Sequence, residues 1–365
     1  MEHQMNLQLF ADAGTLVNAS GNYANAYTGQ TTAFAGTDSL SAAMKTYYDT
    51  ELLENARPEL IHAQLARRQS LPAGRGKSVE WRKWNTLADA DKLTEGVIPT
   101  GQKLGQSAMT QTIQQYGTYV SVSDQLELHA IDDVILGAAE ELGASAGTTQ
   151  DKLVRDAVVG GTNVQYCDKV NASTGAHTEV STRAGMDTSC KLTPDEVNRA
   201  VTTLKKLKAP KIHGKYVAII HPSVAYDLRA SSEWMEAHKY AAATELFTGE
   251  IGELHGVRFI ETTEAKIFKD SSCPVKTAAD AQSGKAAEYY AVYATLFVGK
   301  DAFGMIDPEG GNMEMIIKDK GQVGGPLNQF STLGYKFSSA ARILYQDRMV
   351  RVESMSKYSG DDDAN

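Results

Sequence analysis

Apolar residues in this chain recur at helical spacing in one long stretch, at near-alternate spacing in several short ones, and without sustained period from Met1 to about Thr37. Ile131, Ile135, Ala138, Leu142, Ala146, Leu153 and Ala157 follow one another at steps of three, four or seven. That spacing predicts a helix over 132–158, roughly 40 Å long at 1.5 Å per residue. Asp132 and Asp133 supply carboxylates where a helix amino terminus favours them. Leu40, Met44, Tyr47, Tyr48 and Leu52 predict an earlier helix capped by Asp38 or Ser39, and Pro58 starts a second through Leu65, closed off by Leu71-Pro72. Thr193-Pro194-Asp195-Glu196 opens another through Val197, Val201, Leu204 and Leu207. A buried strand at 216–220, a helix at 222–228 and strands near 257–260, 289–298, 313–317 and from Phe330 to Val352 follow. These intermingled strands and helices, with no Rossmann-like phosphate loop, predict an α+β fold.

Between Gly76 and Ser123 the pattern changes. Lys77 to Trp84 and Met109 to Tyr116 carry β-branched and aromatic residues at near-alternate positions, with both faces largely polar. The segment between them, Thr86 to Ser107, contains Gly96, Pro99, Gly101 and Gly105, and a structureless loop of that length reads as a projection. A lone hairpin is marginal in water, so this arm is expected to rest on another molecule. Gly137, Gly143 and Gly147 each cost the long helix about 1 kcal/mol relative to Ala. Close packing inside the subunit, or a helix that bends or admits a neighbour's backbone, would offset that loss. A loop is expected over 160–191, and the tail Asp361-Asp362-Asp363 is expected to fray.

The 365 residues, 42% hydrophobic and 22% charged, are ordinary for a soluble globular protein with ample core. A net charge of −9 argues against broad nucleic-acid wrapping, which needs Lys and Arg against phosphate. Arg67-Arg68 and Lys205-Lys206-Leu207-Lys208 are too short to reverse that, and read as solvated helix faces. No apolar run reaches the roughly 20 residues of a membrane span, and no signal peptide is visible, so the chain is expected in the cytosol. Cys167, Cys190 and Cys273 lack Cys-x-x-Cys spacing, which points to neither zinc nor a disulfide framework; a bridge between Cys167 and Cys190 stays open.

Catalytic patterns fail on inspection. Gly74-Arg75-Gly76-Lys77-Ser78 resembles the end of a phosphate-binding loop, but that motif needs Gly where Leu71 stands and must open a helix, whereas Ser78 enters a strand. His213 and His221 flank a strand with no acid at ligand spacing, and His221-Pro222 fits a strand-to-helix turn. His62, His129 and His238 fall in helical segments as surface or satisfied core residues. There is no Gly-x-Ser-x-Gly elbow and no His-Glu-x-x-His pair. Trp81, Arg82, Lys83 and Trp84 could form a base-stacking platform, but Glu80 would repel phosphate, and Trp and Arg suit a subunit contact. Trp81, Arg82, Trp84, Ile113 and Tyr116 are therefore the candidate inter-subunit contact residues. No catalytic, cofactor or metal residues are assigned, and the chain is expected not to be an enzyme.

The order of several segments carries a resemblance: Met5-Asn6-Leu7-Gln8-Leu9-Phe10-Ala11; Leu93-Thr94-Glu95-Gly96-Val97-x-Pro99; Gln115-Tyr116-Gly117-x-Tyr119-Val120-x-Val122-Ser123-Asp124 leading to Ala130-Ile131-Asp132; Leu153-Val154-Arg155-Asp156-Ala157; Ala218 to Arg229; and Gly249 to Phe259. Together they resemble the major capsid proteins of tailed bacteriophages, in the family typified by the coat protein of N-four-type phages. The resemblance implies the Hong Kong ninety-seven-like capsid fold. Residues 1–70 would be the amino-terminal arm and leading helices, 71–115 the E-loop, 116–191 the peripheral domain with its spine helix, 192–329 the axial domain, and 330–365 the return to the peripheral domain with the acidic tail. It further implies hexamers and pentamers of an icosahedral shell around double-stranded DNA, held without sequence-specific binding, in the virion after assembly in the host cytoplasm. Partners would be the chain itself, a portal protein, decoration proteins and a separate scaffolding protein, since only about seventy residues precede the arm. No membrane partner is implied, and nothing marks Lys92 or Lys103 as a cross-linking lysine. An encapsulin-like compartment shell is the rival of the same fold, and a small-molecule α+β enzyme with a site near His221 is the rival of a different class.

Overall fold

The structure, a computed structural model, describes residues 61–72, 74, 76–90, 92–93, 95–96, 98, 101–129, 134–171, 173–231, 234, 250–277, 287–309, 311, 313–323 and 327–365. The expected amino-terminal arm and first helix lie outside these residues, as does the start of the second helix; Ile61–Gln64 is helical.

The long helix runs over Val134–Val159 and organises two sheets. Its first half lies on a five-stranded sheet whose axis is the strand Phe330–Ile343. That strand pairs antiparallel with Gln114–Ser123 along one edge, and along the other with Glu314–Lys318 and then Phe303–Pro308. Alternation sends Leu333, Tyr335 and Phe337 to one face, where they join Val122 and Met315 against Ala139, Leu142 and Ala146 of the helix. Tyr335 reaches into the helix, its hydroxyl 3.2 Å from Ser145 Oγ and 3.4 Å from Thr149 Oγ1. Farther along, Val154, Val158 and Val159 pack with Phe303 and Met305 of this sheet and with Ile219, Leu296 and Val298 of the second. The buried Arg155 ties the same junction by donating from Nη1 to the Glu264 carbonyl at 3.0 Å.

The second sheet has the strand order Val164–Tyr166, Met349–Ser354, Val292–Val298, Tyr216–Ile220, Val257–Glu261, Glu250–Leu254. Tyr216–Ile220 and Val292–Val298 are buried at every position, so their sequences read as apolar runs rather than alternations. Pro194–Lys206 packs against it, its amino terminus capped by the Thr193 side chain accepting from Glu196 N–H.

Several expectations change. Arg67–Leu71, read as the end of a helix, is a strand parallel to Phe303–Pro308; its polar composition carries no strand signal, and pairing with the neighbouring strand decides its conformation. Within the expected loop 160–191, Val164–Tyr166 pairs parallel with Arg351 to Glu353. Gly143 and Gly147 lie buried on the sheet-facing side of the long helix, whereas Gly137 is exposed and a Cβ there would meet nothing within 4 Å. Packing inside the subunit therefore does not offset the cost of Gly137. Gly137→Ala is expected to stabilise the unassembled subunit by about 1 kcal/mol in denaturant titration; an unchanged or lowered midpoint would contradict an open site.

The acidic tail is docked instead of frayed. Asp362 accepts hydrogen bonds from Tyr293 Oη at 2.7 Å, Ser223 Oγ at 3.0 Å and Ser359 Oγ at 2.6 Å, and Asp361 pairs with Lys276 at 2.7 Å. A run of aspartates reads as solvated because, Ser359 apart, its partners Ser223, Lys276 and Tyr293 lie about 70 to 140 residues away in sequence. Burial pushes the Asp362 carboxyl up, but the bonds from Ser359, Tyr293 and Ser223 outweigh it and hold it below the ordinary aspartate value. A depressed folded value contributes stability that is fully present above the unfolded value and is lost as pH falls through the folded one. Tail amides should therefore stay protected from hydrogen exchange at pH 5 and lose protection below about pH 4. Asp362→Asn should lose protection already at neutral pH; equal protection in both proteins would contradict the latch.

Candidate assembly surface

Ser78–Trp84 and Gln106–Thr112 pair antiparallel, from Ser78 opposite Thr112 to Trp84 opposite Gln106. The return strand begins three residues earlier than the sequence pattern indicates. It breaks at Ile113, and Gln114–Ser123 then leaves the arm for the five-stranded sheet. One face of the hairpin carries Val79, Trp81 and Lys83 opposite Gln111, Met109 and Ser107, all partly covered; the other carries Ser78, Glu80, Arg82 and Trp84, all exposed.

The covered face lies on the arm's own subunit. Lys83 Nζ sits 5.4 Å above the Tyr345 ring, and Arg342 Nη1 donates to the Thr110 carbonyl. A shallow depression of about 520 Å³ at this junction is lined by Lys83, Met109, Gln111, Arg342 and Asp347 among others. The expectation that the arm has nothing of its own to lie on thus fails at its root. The long strand runs past the end of Gln114–Ser123, and Arg342 in that extension reaches the arm.

The five contact candidates are split by this geometry. Trp84 is 64% exposed, and Arg82 is exposed and paired along its own strand with Glu80. Trp81 is partly covered, its Nε1 buried and without a hydrogen-bond partner. Ile113 is buried within the subunit, its N–H donating to the Lys77 carbonyl at 2.9 Å. Tyr116 packs on Phe337 with ring centroids 5.7 Å apart and donates to Gln114 Oε1. Ile113 and Tyr116 serve the subunit's own core, because the chain turns into the sheet at that point. Trp84 and Arg82 keep free surface.

Sequence reasoning marked Thr86 to Ser107 as a projection but missed the apolar residues it carries. Leu87, Leu93, Ile98 and Leu104 are all exposed, Ile98 at 94% and Leu93 at 71%. Set five or six residues apart among glycines, prolines and charges, they match neither helix nor strand spacing. The usable signal was an apolar residue recurring every five or six positions in a segment with no element able to bury it.

Elsewhere the side chains serve structure. Among the described residues no group of His, Cys, Asp and Glu could hold a metal ion. His221 caps the helix Pro222–Arg229, its Nδ1 accepting from Ser223 N–H at 3.2 Å, and burial lowers its pKa although Asp362 opposes that shift. His62 is fully buried and bonded through Nδ1 to Asp151 at 2.5 Å. Gly74 and Gly76 take left-handed conformations ahead of the strand, not the start of a helix. Cys167, Cys190 and Cys273 are free and buried; burial pushes the Cys190 thiol up to about 11. No described helix is long and apolar enough to cross a membrane.

The sequence model of the family described as "Phage capsid protein" matches residues 42–322. No curated protein matches the chain in sequence. Among solved structures, the capsid of cyanophage P-SCSP1u is similar with TM-score 0.57 at 16% identity, covering 95% of this chain and 99% of that one. The capsid of Ralstonia phage GP4 gives 0.56 at 14%, covering 82% and 89%. A Mycobacterium phage Che8 chain gives 0.53 at 15%, covering 80% and 90%. At these identities the structures establish a shared fold, and the family match is carried by sequence.

Proposed function

Given that this chain belongs to the phage capsid protein family, we propose that the tip of its arm is the surface by which one subunit of the shell grips the next. The protein is a structural one, a major capsid protein whose copies self-associate into an icosahedral shell in the virion. The finer reading assigns residues 71–115 to the E-loop, 116–191 to the peripheral domain, 192–329 to the axial domain and 330–365 to the return. It places hexamers and pentamers around double-stranded DNA, with assembly in the host cytoplasm on a separate scaffold, a portal at one vertex and decoration proteins outside.

The observation that carries the arm's role is the row Leu87, Leu93, Ile98 and Leu104, exposed on a projection whose root is already supported. Exposed leucine and isoleucine on such a projection are covered when another chain meets it, and fully burying each is worth about 1.5–3 kcal/mol. A neighbour that covered the tip, with Trp84 and Arg82 as flanking anchors, would supply the contact. A stable interface of about 1,600 Å² in total would need such a contribution.

All three native thiols are buried, so Ile98→Cys introduces one reactive thiol. Its labelling is expected to be fast in free subunits and strongly slowed in assembled shells; equal rates in both would overturn the arm's role. Nuclease-protected DNA in purified particles separates the viral reading from a compartment that holds protein cargo.

A further inference from the structure

We propose that the lysine-rich turn between Lys205 and Lys215, at one end of the seven-stranded sheet, is a contact surface for nucleic-acid phosphates. The inference rests on the shell-around-DNA reading above. No Asp or Glu occurs between Glu196 and Asp227, and Lys205, Lys206, Lys208, Lys211 and Lys215 are all exposed. Among the described residues only Lys215 has a carboxylate partner, Glu253. Among the described residues the other four have no carboxylate partner, in a chain of net charge −9.

The backbone that presents them is fixed. The helix Pro194–Lys206 ends with Lys208 in a left-handed conformation (φ 56°) and the Ala209 N–H bonded to the Leu204 carbonyl at 3.0 Å. Ala209 is buried and its carbonyl accepts from Tyr216 Oη at 2.9 Å, while the Pro210 carbonyl accepts from Lys300 N–H at 2.9 Å. Ile212 and Lys215 then exchange backbone bonds of 2.8 and 3.0 Å around His213 (φ 48°) and Gly214 (φ 86°), a two-residue turn with both central residues left-handed. Lys211 Nζ lies 5.8 Å from the Tyr216 ring centroid.

Helix polarity accounts for Lys205 and Lys206, which sit in the last turn where cations are favoured. It does not account for Lys208, Lys211 and Lys215, which lie beyond the helix. The only exposed large apolar side chain in the turn is Leu207, so the surface lacks the anchor that a protein partner would need. Point cations on a rigid turn without an apolar pocket match a phosphate backbone read without sequence preference. Negative charge over the rest of the chain would keep that contact local and the enclosed DNA loosely held.

The test compares wild-type subunits with the variant Lys205→Gln, Lys206→Gln, Lys208→Gln, Lys211→Gln, and with a control carrying Lys318→Gln and Lys357→Gln, two exposed lysines outside both the turn and the arm. Binding of a short fluorescent DNA duplex is measured across a salt series, and shell formation is followed separately by electron microscopy. The turn variant should bind about tenfold more weakly at low salt, with a log–log salt slope shallower by about 3 to 4, at roughly 0.9 for each phosphate no longer neutralised. The control should bind as the wild type does, and both variants should form shells. An unchanged slope in the turn variant, an equal loss in the control, or no binding by the wild type would overturn the proposal. So would a turn variant that binds DNA normally but fails to assemble, which would make the turn a protein contact. If no protein forms shells yet the turn variant alone loses DNA binding, the shell reading fails and the phosphate contact stands. Should the fourfold variant not fold, Lys208→Gln with Lys211→Gln, both outside the helix, carries the same test with a slope change of about 2.

Discussion

Removing residues 86–104, which joins Asn85 directly to Gly105, is expected to leave a folded subunit that no longer closes into shells. The strands on either side are already in register, with Trp84 opposite Gln106 and Asn85 N–H bonded to the Gly105 carbonyl at 2.9 Å. The joined pair is Asn-Gly, the sequence preferred in a two-residue hairpin turn, so the shortened arm has a ready closure. The described residues taken out are exposed, and their loss leaves no cavity in the subunit. Stability of the free subunit should change by less than about 1 kcal/mol, whereas each interface in the shell forgoes the burial of several apolar side chains at about 1.5–3 kcal/mol apiece. That deficit, repeated at every neighbour, should lower the yield of closed particles by far more than tenfold. Circular dichroism with sizing chromatography checks the fold, and electron microscopy checks the shells. A collapsed far-ultraviolet signal, or shells at wild-type yield, would contradict the assignment. Ile98→Ser alone should give an intermediate yield.

Glu353→Ala is expected to cost the subunit about 3–5 kcal/mol, because it strips a buried ion network of its acid. Glu353 is 0% exposed in the strand Met349–Ser354. Its two oxygens accept from Arg183 Nε at 2.6 Å and Nη2 at 2.8 Å in a fork. Arg351 Nε lies 2.9 Å from the same carboxylate, close enough for charge attraction but poorly aimed for a hydrogen bond. Both guanidinium groups also lie over Phe268, at 3.6 Å for Arg183 and 5.7 Å for Arg351. Without the carboxylate, two largely buried cations are left beside one apolar ring with no acid between them. Burial lowers the Arg183 pKa and Glu353 raises it overall; losing the acid leaves burial to act against a guanidinium that is too basic to give up its proton. Urea unfolding of the unassembled subunit measures the cost, and a loss under about 1 kcal/mol would show that the network contributes little.

The long helix was legible because its apolar repeat spans seven turns, and Tyr216–Ile220 because a strand buried on both faces is an apolar run. The arm was legible as a hairpin but not in its register: Met109 to Tyr116 reads as one strand, and only the sheet shows that Ile113 divides it. Partners distant in sequence account for most of what stayed hidden. Arg67–Leu71 becomes a strand through Phe303–Pro308, and the aspartate tail is ordered by Ser223, Lys276 and Tyr293. Half of the candidate surface was visible in Trp84 and Arg82, which alternate outward on a short strand. The tip was not, since Leu93 and Ile98 belong to no periodic element and gain meaning only once the structure leaves them uncovered.

Negative-stain electron microscopy of the purified protein, alone and co-expressed with a scaffold, tests the central claim most directly. Uniform closed shells, tubes or capsomer rings are the predicted result. A stable monomer under every condition, with the scaffold present, would contradict it.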